Sequence, residues 1–225
     1  MTERLALFPL GTVLLPGLLL PLEIFEHRYR VLVAELLDLA AGEPRRFGVV
    51  AIRHGRETGT DDLPTFHEIG CTANIRRIDR HADGRFSIIA SGGAKFRVLT
   101  VDRTSRPYLT GEVEYLSDGI GDAQDAAEQV PVVTKLLHDY AARLSSSQAA
   151  ELRLPDLPDD PRMLSYIVAA SVVTQTAERQ ALLAVPDAAA RLRAERMILR
   201  RELGLLERFT AIGSDEHIRV TPSPN

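Results

Sequence analysis

Cysteine is nearly absent from the chain: Cys71 is the only one in 225 residues. A single thiol excludes an intrachain disulfide and any zinc site built from several cysteines, and it suits a reducing cytosol. Lysine is almost as scarce, with only Lys95 and Lys135; the rest of the positive side-chain charge is arginine. A net charge of −4 at pH 7 gives no general basic field, which disfavours nucleic acid as a partner. Long apolar runs are missing too. The richest, Leu14 to Leu22, contains Pro16 and Pro21 and is followed at once by Glu23. It is too short to span a bilayer and lacks the unbroken apolar helix of an export signal. A cytoplasmic protein with no membrane segment is the expectation.

Catalytic signatures are absent as well. There is no G-x-S-x-G elbow, no Walker spacing with its lysine, and no H-x-x-x-H or H-E-x-x-H. The six histidines (His27, His54, His67, His81, His138 and His217) are scattered. No catalytic residue, metal ligand or cofactor site is therefore assigned. Ser91 beside Gly92-Gly93, with Lys95 close by, comes nearest to a nucleophile and base. It reads more simply as a turn at a strand end with an exposed lysine. Cys71 lies among apolar neighbours in a strand-like alternation, the setting of a buried, inert thiol. Glu23 sits between Leu22 and Ile24; facing inward it would need a partner such as Arg28.

What the chain does have is a stretch, Leu5 to Ala40, that changes period partway along. Pro9, Gly11, Pro16, Gly17 and Pro21 break its first part into two short extended runs. From about Glu26, Tyr29, Leu32, Val33, Leu36 and Leu37 recur at the spacing of an amphipathic helix, with Gly42 as its stop. Glu23, Glu26, Arg28 and Tyr29 then read as a polar latch between strand and helix. Further strands follow: Phe47 to Ile52, Phe66 to Asp79, Phe86 to Ala90 ended by Gly92-Gly93, Lys95 to Arg103, and Pro107 to Leu116. Asp83-Gly84 supplies the hairpin turn. About six or seven short strands with one early helix favour a closed or half-closed barrel. After Ser117 to Gly121 the pattern is helical. Ala123 to Leu144 contains Pro131, Asp160-Pro161 starts a second helix, Ala177 to Leu183 a third, and Asp187 caps the last. Residues 1–118 are expected to form the barrel subdomain, 119–212 the helical subdomain and 213–225 a flexible tail.

These elements carry a family resemblance. Leu7-Phe8-Pro9-Leu10, Leu20-Pro21-Leu22-Glu23-Ile24-Phe25-Glu26 and Arg28-Tyr29 resemble the opening of the Lon substrate-binding (N-terminal) domain. The likeness continues through Phe47-Gly48-Val49-Val50, Glu68-Ile69-Gly70-Cys71, Asp83-Gly84-Arg85-Phe86, Phe96-Arg97-Val98 and Pro107-Tyr108-Leu109. It resumes at Arg179-Gln180-Ala181-Leu182-Leu183 with Asp187, and reaches about Phe209. The resemblance implies an α+β fold, a PUA-like β pseudobarrel with an early inserted helix followed by a C-terminal α-helical bundle. In Lon proteases such a module precedes an ATPase and a Ser–Lys peptidase. Neither has a counterpart here, so the chain reads as a stand-alone, non-enzymatic form.

The function implied is binding of unfolded or degron-bearing polypeptide, or of a partner protein, with a link to proteolysis or protein quality control. The family's part in oligomer assembly makes a homo-oligomer an expected state. A groove between barrel and bundle is the expected site, with Arg53, His54, Phe66 and Tyr108 as candidate peptide-binding residues. The alternative is an RNA- or small-molecule-binding PUA-like module. Its support is the cluster Arg76, Arg77, Arg80 and Arg85 around one hairpin.

Overall fold

The first strand, β1 (Thr2–Leu10), shows why its sequence is apolar at nearly every position: both of its faces are covered. Leu5 and Leu7 pack with Val50, Phe96, Leu109 and Val113 on one side. Phe8 and Leu10 pack on the other, beneath α1 (His27–Leu37), with Tyr29, Leu32, Val33 and Leu36. A strand buried on both faces loses the simple alternation of a half-exposed one. The computed structural model describes residues 2–40, 42–54, 65–148 and 154–216; the segment 56–64, which its glycine, threonine and aspartate content marks as a loop, lies outside the described residues.

The other strands are β2 (Leu19–Ile24), β3 (Arg46–His54), β4 (Thr65–Phe66), β5 (Ile69–Arg80), β6 (Phe86–Asp102) and β7 (Leu109–Tyr115). They run in the order β1-β7-β6-β5-β3-β4, and a parallel pairing of β1 with β3 closes the first five into a ring. β2 stands off this path and pairs with β6. This is the expected α+β architecture. The remaining helices are α2 (Ala123–Gln148), α3 (Pro161–Ser171), α4 (Thr176–Ala184) and α5 (Ala188–Glu216).

Two compact units result. One is Met1–Gly119 with Val173–Pro186, the other Ile120–Val172 with Asp187–Asn225. The stretch 119–212 is thus divided, because α4 packs on β5 within the first unit. Gln180 Nε2 donates to Ile69 O at 2.8 Å, and Thr176 Oγ1 to Gly11 O at 3.3 Å. Of the tail expected at 213–225, α5 takes in the part as far as Glu216, and the rest lies outside the described residues.

Gly92-Gly93 does not end a strand. β6 runs straight through it, because a glycine there leaves room for the crossing loop: a Cβ on Gly92 would collide with Leu15 O. That loop is bonded in place, Gly17 N to Gly92 O at 3.0 Å and Gly92 N to Leu18 O at 2.8 Å. The Asp83-Gly84 turn is as expected, with Gly84 at φ +81° in the left-handed region. At the start of α1, Tyr29 stacks on Phe8 with ring centroids 3.9 Å apart, and Arg28 lies over the Tyr29 ring while pairing with Glu26 at 2.9 Å. Glu23 takes no part in this latch; it points to solvent.

Lys95 is buried rather than exposed, at 2% accessibility. Its Nζ donates to Val185 O at 2.8 Å and pairs with Asp118 at 3.2 Å, so it fastens β6 to the segments after β7 and after α4. Cys71 is fully buried, and burial pushes its thiol up to about 12.

In the second unit, α2, α3 and α5 meet around Val133, Leu137, Leu164, Val168, Leu192 and Leu199. Pro131 does not divide α2. Asp160 caps α3 by accepting from Arg162 N and Met163 N, and Asp187 Oδ1 accepts from Ala190 N at 2.9 Å at the start of α5. Two charged side chains lie inside this unit. Arg191 Nε donates to Ser165 Oγ at 2.9 Å, with the guanidinium 3.7 Å from the Tyr166 ring centroid. Glu195, one turn on, is buried with no hydrogen-bond partner for either carboxylate oxygen.

Two expectations follow. Replacing Lys95 by Met leaves Asp118 and the Val185 carbonyl without their cation, and should destabilise the protein by about 2–4 kcal/mol in urea denaturation; an unchanged midpoint contradicts the assigned role. For Glu195, burial raises the pKa well above the usual carboxylate range, with Arg191 opposing the shift. The folded state therefore holds this proton more tightly than the unfolded chain. Its contribution to stability is complete below the unfolded-state value and is lost as pH rises through the folded one. Glu195→Gln should exceed the parent in stability at about pH 8 and converge with it at about pH 4. A variant less stable than the parent at the higher pH would overturn this.

Candidate functional site

Of the four residues expected to bind peptide, Arg53, His54 and Phe66 lie on the paired strands β3 and β4, and Tyr108 lies just before β7. Tyr108 is a core residue. It packs with the α1 cluster and donates its hydroxyl to Glu35, whose carboxylate also accepts from Arg106 Nη1 at 2.8 Å. Burial first, and the bond to Glu35 second, push the phenol up to about 12. Its work is to hold α1 on the barrel. Phe66 lies opposite Ile52 and packs, half-buried, against the Leu5–Leu7–Phe96 cluster. His54 is exposed at the end of β3, opposite Thr65. Arg53 lines a concavity.

That concavity, of ≈ 360 Å³, lies between the β3–β5 end of the sheet and α4, inside the first unit. Arg53, His67, Glu68 and Ile69 form one wall; Ala177, Gln180, Ala181 and Ala184 form the other. The three alanines fall at helical spacing on the exposed side of α4. Among the described residues neither Arg53 nor Glu68 has an ion-pair partner. Burial, then the neighbouring Arg53 charge, lowers the pKa of His67, so its ring is neutral at pH 7. Gln180 is 6% exposed and, with Nε2 committed to Ile69, leaves Oε1 buried without a partner. An unsatisfied buried amide oxygen costs about 1–3 kcal/mol. Sequence reasoning missed this wall, although the 177, 181, 184 alanine spacing was its visible signal.

A second concavity, of ≈ 220 Å³, is apolar. It lies among Phe8-Pro9-Leu10 of β1, Pro21 to Ile24 of β2, and Phe25, Glu26 and Tyr29. Beside it the surface is unusually greasy: Phe25 is 56% and Leu19 69% exposed. Both bordering strands have an edge without a strand partner among the described residues. β2 pairs with β6 only, and β1 pairs with β7 only as far as Leu7. Because Gly92 N donates to Leu18 O, the antiparallel alternation turns Leu20, Leu22 and Ile24 toward β6. Leu19, Pro21 and Glu23 turn their backbone groups outward. Pro21 has no N–H, so the open edge offers the N–H groups of Leu19 and Glu23 and three carbonyls.

The arginine hairpin is engaged internally. Arg76 Nε donates to Ser91 Oγ at 2.7 Å, Arg77 pairs with Asp79 and Arg85 with Asp83, and Arg80 lies over the Phe86 ring. Two of the four charges, those of Arg77 and Arg85, are thus balanced by neighbouring carboxylates, which weakens the basic field that a nucleic-acid backbone would need. They also occupy Ser91, while Lys95 is held by Val185 and Asp118. Among the described residues no group of three or more His, Cys, Asp or Glu is placed to hold a metal ion, and no helix is long and apolar enough to cross a membrane.

Comparison with known proteins points one way. The pattern of the ATP-dependent protease La (LON) substrate-binding domain matches residues 4–201. Lon protease 1 of Herpetosiphon aurantiacus is 27% identical over 217 residues, covering 91% of this chain and 25% of that protein. Lon protease 2 of Myxococcus xanthus is 27% identical over 216 residues, covering 94% and 25%. The chain thus spans about a quarter of the length of these relatives. Among solved structures, a Lon N-terminal domain protein from Xanthomonas campestris superposes with TM-score 0.59 at 25% identity, covering 85% of this chain and 95% of that one. The N-terminal domain of a Mycobacterium avium complex Lon protease gives TM-score 0.58 at 17% identity, covering 90% and 98%, a likeness of fold.

Proposed function

Because the chain belongs to the ATP-dependent protease La (LON) substrate-binding domain family, we propose that it is a non-catalytic module that binds unfolded or degron-bearing polypeptide. The observation that carries this reading is the apolar groove beside β2, bordered by an unpaired strand edge. An extended polypeptide is the natural complement of such a surface. Its backbone satisfies the outward N–H and C=O groups of β2, and its apolar side chains cover Phe25 and Leu19. Pro21 interrupts the edge, which limits uncontrolled sheet-to-sheet pairing while leaving donors on either side of it. Glu23 and Glu26 border the groove, so apolar segments flanked by basic residues fit better than acidic ones.

The matched region corresponds to a substrate-binding domain, which supports a role in delivering or holding substrates for proteolysis or protein quality control rather than in cleaving them. The single buried thiol fits a cytoplasmic setting. Self-association, as an aid to oligomer assembly, belongs to the same proposal.

The test replaces Phe25 by Asp and measures binding of a permanently unfolded, reduced and carboxymethylated protein. Phe25 is exposed and outside both cores, so the melting temperature should hold while affinity falls about tenfold, the loss expected for about 1.4 kcal/mol of apolar contact. Unchanged affinity for the unfolded protein would sink the groove as the site.

A further inference from the structure

We infer that the cavity between the sheet end and α4 is a separate binding site for a small zwitterion, an α-amino acid with a short branched apolar side chain. The lining is complementary to such a ligand group by group. Arg53, which has no ion-pair partner among the described residues, offers its cation to the carboxylate. Glu68, also without an ion-pair partner among the described residues, offers its carboxylate to an ammonium group. Ala177, Ala181, Ala184 and Ile69 supply an apolar patch whose short side chains leave space.

The charge count of the cavity discriminates between ligand classes. With His67 held neutral by burial and by Arg53, the lining carries one positive and one negative group. A plain anion would meet Glu68, and a plain cation would meet Arg53. A ligand bearing both charges on one carbon satisfies both. The volume of ≈ 360 Å³ is at the lower end of small-molecule sites and suits a single amino acid better than a cofactor.

This site is independent of the apolar groove, and the experiment keeps the two apart. Isothermal titration of the full chain with L-leucine should give saturable binding. L-leucinamide lacks the carboxylate and N-acetyl-L-leucine lacks the ammonium group; each should bind at least about tenfold more weakly. Arg53→Gln should reduce leucine affinity by a similar factor. Ala181→Leu, a substitution on an exposed helix position that fills the cavity, should abolish binding without lowering the melting temperature. Phe25→Asp should leave leucine binding intact. The proposal is overturned if leucine fails to bind at about 10 mM, or if Arg53→Gln leaves its affinity unchanged. Equal binding of N-acetyl-L-leucine would also overturn it, since the cavity would then take the C-terminus of a peptide instead of a free amino acid.

Discussion

The barrel depends on one strand serving two sets of neighbours. β6 pairs with β5 on one edge from Phe86 to Arg97; on the other it pairs first with β2, through Ile24↔Phe86 to Leu19↔Ser91, and then with β7, from Phe96↔Tyr115 onward. The change of partner happens at Gly92-Gly93, where the loop after Leu15 crosses closely enough that no side chain would fit. Without that passage β2 could not stand off the ring, and the groove between β2 and the end of β1 would not exist. A site of this kind follows from topology before it follows from any particular side chain.

The same strand carries Lys95, whose buried ammonium holds the segments that follow β7 and α4. Those segments end next to the points at which the chain passes between its two units, at Gly119 and at Pro186. On the far side of the ring, Glu35 gathers Tyr108 and Arg106, and Arg28 with Tyr29 secures the first turn of α1. Polar groups in this molecule act mainly as fasteners. That is why the sequence, searched for catalytic constellations, yields serines, lysines and arginines that turn out to be occupied.

Most of the fold was legible in the sequence because its signals are local. The prolines and glycines of the opening stretch, the helical spacing from Tyr29 to Leu36, Asp83-Gly84 and Asp160-Pro161 each act within a few residues. What could not be read depends on distant contacts. Gly92-Gly93 resembles a strand end unless the crossing loop is known, and Lys95 looks exposed until Val185, ninety residues on, returns to it. The α4 helix appears continuous with the helical half, but its partners Ile69 and Gly11 lie in the barrel. The site was the least legible part. Arg53 lines the cavity beside α4, Tyr108 and Phe66 pack in cores, and the exposed Phe25 and Leu19 drew no notice because their greasiness matched that of the strand beside them.

The open edge of β2 is the feature on which the functional account rests, and its backbone can be observed directly. Amide hydrogen exchange followed by NMR, with and without a saturating unfolded polypeptide, reads each N–H separately. Protection gained at Leu19 and Glu23, with Leu20 and Leu22 already protected by β6 and unchanged, is the result the account predicts. Binding that leaves Leu19 and Glu23 exchanging as in the free protein would contradict it.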